Sequence, residues 1–386
     1  MWRHIVSNVL TLLVVALFLL GGVILWGQAQ YTGEGPHSEA VCLRVEPGST
    51  IRPVSNRLEE DGTVTHAAIF RIGVDYAGKA DDLKAGSWLI PEGASMAEIA
   101  DIITSGGAST CGTEVIWRIG VTSAEAVVRE LDTGTSRYEE RAAFDPMDPD
   151  AIPPEIYQTV RDRADTRYRI AFAEGVTSWQ VVEGLRAVEV LTGEVARVPD
   201  EGTLAPRSYE VRGGDSRADV LARMAAAQED ILAAAWQTRA EDLPLNSPQE
   251  ALILASIIEK ETAVAGERRQ VASVFVNRLR RGMRLQTDPT VIYGITEGQG
   301  VLGRGLRQSE LNRSTAWNTY AIDGLPPTPI ANPGKESIEA AVDPADTDYV
   351  FFVADGSGGH AFAETLAEHN RNVARWREIE AERSGN

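Results

Sequence analysis

Residues 247–294 read SPQEALILASIIEKETAVAGERRQVASVFVNRLRRGMRLQTDPTVIYG. The opening has the marks of a helix start: Ser247 as N-cap, Pro248 in the first helical position, and Glu250 placed to close a capping box onto Ser247. A dense apolar run follows, ending in two carboxylates, Glu259 and Glu261. Periodicity separates them. With Leu254 at zero and roughly 100° per residue, Ile253, Leu254, Ile257 and Ile258 centre on one direction. Glu261 falls about 20° from it and Glu259 about 140°. Glu261 therefore lies on the stripe that should be buried. A carboxyl there costs several kcal/mol if ionised and unpaired, so it holds its proton toward neutral pH, as a general acid must. The structural alternative is a helix-end glutamate paired with Arg268 or Arg269.

Outward from this helix, ERRQVASVFVNRLRRG predicts a second one, with Val271, Val274, Phe275 and Leu279 on one face and Gly282 as its stop. RLQTDPTVIYG, polar and interrupted by proline, reads as a loop against a cleft. Tyr349–Ala354 reads as a buried strand, residues 355–359 as a turn, and Glu364–Trp376 as a closing helix. On the N-terminal side, residues 213–246 predict a long helix rich in strong helix formers.

The chain begins with a different signature. From Val9 to Trp26 it is almost wholly apolar, about 18 residues, long enough to span a bilayer. Arg3 precedes the run, Glu34 and Glu39 follow it, and Trp2 and Trp26 flank it, which orients the N-terminus to the cytoplasm. A cleaved signal peptide is the competing reading. After a polar linker at 31–40, one pattern recurs: an extended apolar segment, a glycine turn, a Ser or Thr cap, and an amphipathic helix. It appears at 43–62, 87–107, 115–134 and 168–188, and more weakly at 209–225. These units resemble LysM modules, small folds associated with N-acetylglucosamine polymers; generic strand–helix connections are the alternative. Residues 133–167, dense in Pro, Asp and Arg, read as an exposed insertion or linker.

The 386 residues carry a net charge of −19, which argues against a nucleic-acid partner. Cys42 and Cys111 form no CxxC or Cys/His cluster, and His4, His37, His66, His360 and His369 include no HExxH spacing, so no metal and no cofactor is expected. If the chain beyond the apolar run lies outside the cytoplasm, a Cys42–Cys111 disulfide is one possibility and two buried thiols the other.

ASIIEKETAVAGERRQVASVFVNRLRRGMRLQTDPTVIYG, GLPPTPIANPG and YVFFVADGSGGHAF together resemble the endolytic murein transglycosylase (YceG-like) family, over about residues 247–372. The resemblance implies an α+β chain with an N-terminal transmembrane helix, LysM-like β-α modules and a mixed α/β C-terminal catalytic domain. The corresponding boundaries are anchor 1–30, linker 31–40, a LysM-like subdomain 41–108, a second such region 109–212, and a catalytic domain 213–386. EGTLAPRSYEV, 201–211, departs from the family pattern: Glu201, Gly202, Leu204, Pro206 and Tyr209 fit, whereas Arg207 stands where an Asp is expected and Ala205 where an aromatic is common.

The resemblance further implies endolytic cleavage of the MurNAc-β-1,4-GlcNAc bond in nascent peptidoglycan glycan strands. The products are 1,6-anhydro-MurNAc ends, glycan elongation is terminated, and the work is done beside peptidoglycan synthases at the inner membrane, with the C-terminal domain periplasmic. It assigns the catalytic acid to the Glu of EKET that precedes Thr262, which is Glu261. Substrate-positioning candidates are Gln286, Thr287, Asp288, Asn318, Tyr320 and Asn332, each with a turn-forming alternative. Glu259 is expected to face outward or to pair with Arg268. Two rival readings stay open: a muramidase using Glu261 and Asp288 as a carboxylate pair, and a non-catalytic peptidoglycan-binding scaffold.

Overall fold

The computed structural model describes residues 2–107, 109–163 and 165–384, with side chains in the first helix described from Ser7 onward. In chain order the elements begin with α1 (Trp2–Thr32), β1 (Val41–Val45), α2 (Ile51–Glu60), α3 (Ala67–Tyr76), β2 (Gly86–Ile90) and α4 (Met96–Ser105). Next come β3 (Thr113–Ile119), β4 (Ala124–Asp132), β5 (Arg137–Phe144), α5 (Glu155–Val160), β6 (Arg167–Phe172), α6 (Ser178–Ala187) and β7 (Ser208–Val211). The helical part follows as α7 (Arg217–Gln237), α8 (Pro248–Glu261), α9 (Arg268–Arg280), α10 (Asp288–Thr296), α11 (Gln308–Leu311) and α12 (Lys335–Val342). The chain closes with β8 (Phe351–Ala354), β9 (His360–Ala363) and α13 (Leu366–Ser384). β1 pairs antiparallel with β2, β8 with β9, and a five-stranded sheet runs β5-β4-β3-β6-β7.

Two compact units share the chain. The first comprises Met1–Val115, Val127–Ala143 and Pro153–Tyr168; the second comprises Ile116–Ala126, Phe144–Ile152 and Arg169–Asn386. In the first, α1 is long and apolar enough to cross a membrane, with mean hydropathy 2.8 over an 18-residue window within Ser7–Thr32. Its Leu, Val, Ile and Phe side chains between Val9 and Leu25 are exposed, and so is Trp26. The flanking residues Trp2 and Arg3 lie outside the described side chains. The helix runs past the expected linker boundary to Thr32. Gly73 lets its last turn lie close to α3, since a Cβ there would sit 2.2 Å from the Tyr31 ring. The core of this unit joins Leu43, Val45, Trp88 and Ile90 from the β1–β2 pair with Val54, Leu58, Phe70, Val74, Ile99 and Ile103.

A strand is followed by a helix at four of the five sites, and the cap is made at three of them; Thr50 stands at the N-cap of α2 without a side-chain bond. Ser95 and Thr177 each close a full capping box, with Glu98 and Gln180 respectively, and Ser216 caps α7. The fifth differs. The helix expected after Val115 is the strand β4, whose Ala124, Ala126, Val127 and Val128 are buried. Asp132 then accepts from the backbone N–H groups of Gly134 and Thr135, at 2.9 and 3.4 Å, and this turn sends the chain into β5. A β-branched pair with a turn directly after it gains more from a hairpin partner than from a helix.

That hairpin also revises the reading of 133–167 as insertion or linker. β5 is largely exposed, but Tyr157 and Asp165 beyond it are buried. Asp165 accepts from Ser87 Oγ at 2.9 Å and from Arg163 at 2.9 Å, and Arg44 approaches to 3.3 Å. Burial pushes its pKa up, and the Arg163 and Ser87 hydrogen bonds outweigh that, leaving the carboxyl below its ordinary range. Other expected boundaries also shift. The long helix begins at Arg217 and ends at Gln237, the closing helix runs to Ser384, and β8 is half-buried where full burial was expected.

Cys42 and Cys111, both in the first unit, are disulfide-bonded, with Cα atoms 5.9 Å apart and a sequence separation of 69. Closing a loop of that length removes about 4 kcal/mol of unfolded-chain entropy. Replacing both cysteines by alanine is expected to lower the unfolding free energy by about 2–4 kcal/mol in denaturant titration. The same loss should follow when the wild-type protein is unfolded in excess reductant.

Candidate active site

Everything in the site belongs to the second unit. α8 starts as expected, with Ser247 Oγ accepting from Glu250 N at 3.2 Å. The capping box is modified: the Glu250 carboxylate reaches back to Asn246 N, at 2.7 Å. Every residue from Ala251 to Ile258 is buried, so α8 is a core helix enclosed on all sides and not an amphipathic one. It packs with α9 and α12 around Phe275, Val276, Ile338 and Ala341.

Three consecutive polar side chains leave the end of α8 toward different anchors. Glu259 accepts from Gly334 N, the N-cap residue of α12, at 2.9 Å. Lys260 donates to Gly175 O at 3.3 Å. Glu261 accepts a short hydrogen bond from Thr287 Oγ1. Neither arginine that might have neutralised the pair does so. Arg268 bonds Glu336 and Glu174, while Arg269 bonds Asp343, so the expected Glu259–Arg268 pairing gives way to the helix-terminus contact. An anion at the N-terminus of α12 is favoured by the unsatisfied N–H groups there.

Thr287 is itself diverted from a common task. The segment expected to be a loop is the helix α10, with Pro289 accommodated in its first turn and Thr287 at the N-cap. A cap threonine ordinarily accepts from the N2 or N3 backbone N–H, an interaction worth about 1 kcal/mol. Here no such bond is made, and the hydroxyl serves Glu261. The buried residues Thr290 and Thr319 fix it in place. Thr319 Oγ1 accepts from Thr287 N at 3.1 Å, Thr290 Oγ1 donates to Thr287 O at 2.7 Å, and the two hydroxyls meet at 2.8 Å. Gln286, just before, is held at φ +48°, an uncommon conformation for a side chain of its size, and is exposed.

Glu261 keeps part of its surface open, yet burial pushes its carboxyl pKa up, and the charge of Asp288 adds to this. The Thr287 hydroxyl, His360 and Arg278 act in the opposite sense without reversing it. Its place at the C-terminal end of α8 also disfavours the anion, since the helix dipole is negative there. Asp288 accepts from Tyr320 OH at 2.7 Å. Arg278 is buried, donates to Val350 O and Leu285 O at 2.7 and 2.6 Å, and lies 5.5 Å over the Phe351 ring. His360 is held by Glu267 at 2.8 Å.

The structure thus brings Thr287, Asp288 and Tyr320 to Glu261, with Gln286 adjacent in the chain. Asn318 bonds nearby backbone, as the turn-forming alternative has it, whereas Asn332 bonds backbone far away in sequence. Both are fully buried. Asn318 Nδ2 donates to Leu311 O and Arg313 O, at 2.9 and 2.6 Å, and its Oδ1 accepts from Tyr320 N. Asn332 accepts from Leu204 N and donates to Val176 O, at 2.9 and 3.1 Å, stitching the 201–211 segment to the 324–334 segment. Arg278, Glu267 and His360 were not singled out in the sequence. Their signal was present in part, since all three sit inside the stretches that carry the family resemblance. Among the described residues, no group of three or more His, Cys, Asp or Glu has the arrangement of a metal site.

Because the raised pKa of Glu261 makes the native state bind its proton more tightly than the unfolded chain, this site stabilises the fold fully below the unfolded carboxyl range. That contribution is lost as pH rises through the folded value. Glu261→Gln stays neutral at every pH. It is expected to raise the melting temperature above that of the wild type near pH 8, with the gap closing toward about pH 4. Thermal melts across that range would check both the sign and the closure.

The chain is 26% identical over 356 residues to an endolytic murein transglycosylase of Bacillus subtilis, covering 92% of this chain and 89% of that protein. It is also 26% identical over 348 residues to an endolytic murein transglycosylase of Streptococcus pneumoniae, covering 86% of this chain and 58% of that longer protein. The crystal structure of a YceG-like protein from Listeria monocytogenes aligns over 86% of this chain and 99% of its own, at 25% identity and a TM-score of 0.44. The profile of the YceG-like family matches residues 43–375, nearly the whole chain beyond α1, and the protein is a member of that family.

Proposed function

We propose that this chain is a lytic transglycosylase that cuts peptidoglycan glycan strands internally, at the MurNAc-β-1,4-GlcNAc bond, with Glu261 as its acid and base. The observation that carries the reading is a carboxyl biased toward its protonated form, partly open to solvent, and fixed at the end of a helix buried from Ala251 to Ile258. The names of the Bacillus and Streptococcus relatives support the same reaction class.

Breaking a glycosidic bond requires a proton on the leaving oxygen and stabilisation of an oxocarbenium-like centre. Glu261 donates its proton to the bridging oxygen, and the bond from that oxygen to C1 of the muramic sugar breaks. The 6-hydroxyl oxygen of the same sugar then bonds to C1, and its proton returns to Glu261. One residue serves both steps in sequence, and no water is consumed. Thr287 orients the carboxyl, while Asp288, with Tyr320, lines the negative side of the site and favours a positively charged sugar centre. Gln286 and Tyr320 are positioned to contact the glycan. Outside this unit, the β-α elements of the first unit are a candidate LysM-like glycan-binding region. α1 is the candidate single-pass anchor in the inner membrane, with a cytoplasmic N-terminus and a periplasmic C-terminal domain near peptidoglycan synthases.

The test is mass analysis of fragments released by the detergent-solubilised full chain from purified glycan strands. Anhydro ends, lighter by one water than hydrolysed ends, are expected. Glu261→Gln should lower the rate by about a hundred- to ten-thousand-fold, the usual worth of a general acid–base group. Reducing ends would replace this reading with a muramidase using Asp288. Strand binding without cleavage would replace it with a scaffold.

A further inference from the structure

The helix α3 is apolar on two faces. Ala67, Phe70 and Val74 are buried and belong to its inner side. Ala68, Ile72 and Tyr76 follow one another at four-residue spacing, within an arc of about 80° on the opposite side. All three are exposed, Ile72 at 69% and Tyr76 at 95%. A surface helix ordinarily sets polar and charged residues opposite its buried stripe. On this helix Asp75 stands at the edge of the outer arc, about 60° from Ile72, and Arg71 is committed to Ser55 Oγ and Asn56 Oδ1, each at 2.9 Å.

The same helix is tied to the last turns of α1. The rings of Trp26 and His66 have centroids 5.8 Å apart, and Thr65 Oγ1 donates to Gln30 Oε1 at 3.2 Å. The Tyr31 ring closes on Gly73, where any Cβ would collide with it. α3 therefore runs beside residues 26–31 of α1. The apolar run Val9–Trp26 is about 27 Å long, close to the roughly 30 Å of a bilayer's hydrocarbon core. Beyond that core the headgroup layer is about 5–7 Å deep on each side. Five helical residues rise about 7.5 Å, so the contacts from Trp26 to Tyr31 hold α3 at the depth of that layer.

We infer that the Ala68–Ile72–Tyr76 face of α3 rests among the lipid headgroups, a second membrane contact that orients the first unit beside its anchor. This rests on the reading of α1 as the membrane anchor and adds an element outside the spanning helix. Tyrosine is a favoured side chain at the membrane–water boundary, with its ring toward the acyl chains and its hydroxyl in the wet layer. Lys79, the next cation along the chain, is paired with Asp101, and Asp75 repels anionic headgroups. The contact is accordingly apolar and tolerant of lipid charge.

The experiment places the full chain singly in bilayer nanodiscs of phosphatidylethanolamine and phosphatidylglycerol, with the protein deuterated except at isoleucine methyl groups. Magnetisation transfer from lipid protons to each methyl is then read. Ile24 and Ile72 are assigned by the loss of their signals in Ile24→Val and Ile72→Val. Transfer to Ile24 is expected from acyl-chain protons, and to Ile72 from glycerol and headgroup protons. Ile99, in the core of the same unit, should receive neither. Exchanging phosphatidylglycerol for phosphatidylcholine should leave the Ile72 transfer unchanged. Transfer to Ile72 from water alone, with Ile24 still meeting acyl chains, overturns the inference and leaves the anchor standing. An Ile24 without lipid contact removes the anchor reading, and the inference with it. In discs holding two chains, transfer to Ile72 from a protonated second chain in place of lipid would overturn the inference in favour of self-association.

Discussion

The hydrogen bond from Thr287 to Glu261 joins two helices whose ends have each given up an ordinary satisfaction. α8 ends on an acid where the dipole would welcome a base, and α10 begins with a threonine that does not cap it. Burial makes this arrangement durable. Leu252, Ile253, Leu254, Ile257 and Ile258 are all buried, and five such side chains contribute on the order of 10 kcal/mol. The several kcal/mol that a desolvated carboxyl costs is smaller than that, so the helix stays in place and the carboxyl adjusts its protonation.

A single group that acts first as acid and then as base cannot be strongly biased either way. Burial and Asp288 favour its neutral form; Thr287, Arg278 and His360 favour its anion. The start of α10 supplies one group of each kind, Asp288 and its N-cap Thr287, while α9 and β9 supply Arg278 and His360. Tyr320 moderates the negative side by donating to Asp288. This balance fits a reaction in which the same carboxyl must be regenerated within one turnover. A permanently ionised nucleophile beside a permanently protonated acid would need the two environments to be more sharply separated.

Much of the fold was legible where local chemistry decides structure: the Ser95 and Thr177 capping boxes, the Ser247–Pro248 start of α8, and Gly282 at the end of α9. The failures share a cause. β4 and α10 were misread because a hairpin partner and a buried threonine pair, both contributed by other segments, overrule local pattern. The periodicity argument reached Glu261 although α8 is buried all round, because the last turn is where enclosure ends. Asn332 and Asn318 could not be told from contact residues in sequence. Their partners, at Leu204 and Leu311–Arg313, are set by tertiary packing.

Glu201 shows that burial alone does not set Glu261 apart. Burial pushes it up too, but its oxygens accept from Ser178 N at 2.8 Å and Tyr293 OH at 3.2 Å, with Asn332 nearby. Gly202, at φ +83°, lets the chain pass where a Cβ would lie 2.6 Å from Pro329, and Gln228 donates to both Gly202 O and Pro333 O. Glu201 therefore closes a knot of buried polar groups that ties α6 and α10 to the 324–334 segment. Of the two departures in this motif, Ala205 is fully buried and Arg207 is exposed. A carboxyl enclosed by donors holds chain segments together. Glu261, by contrast, has one hydroxyl bonded to it and a partly open surface.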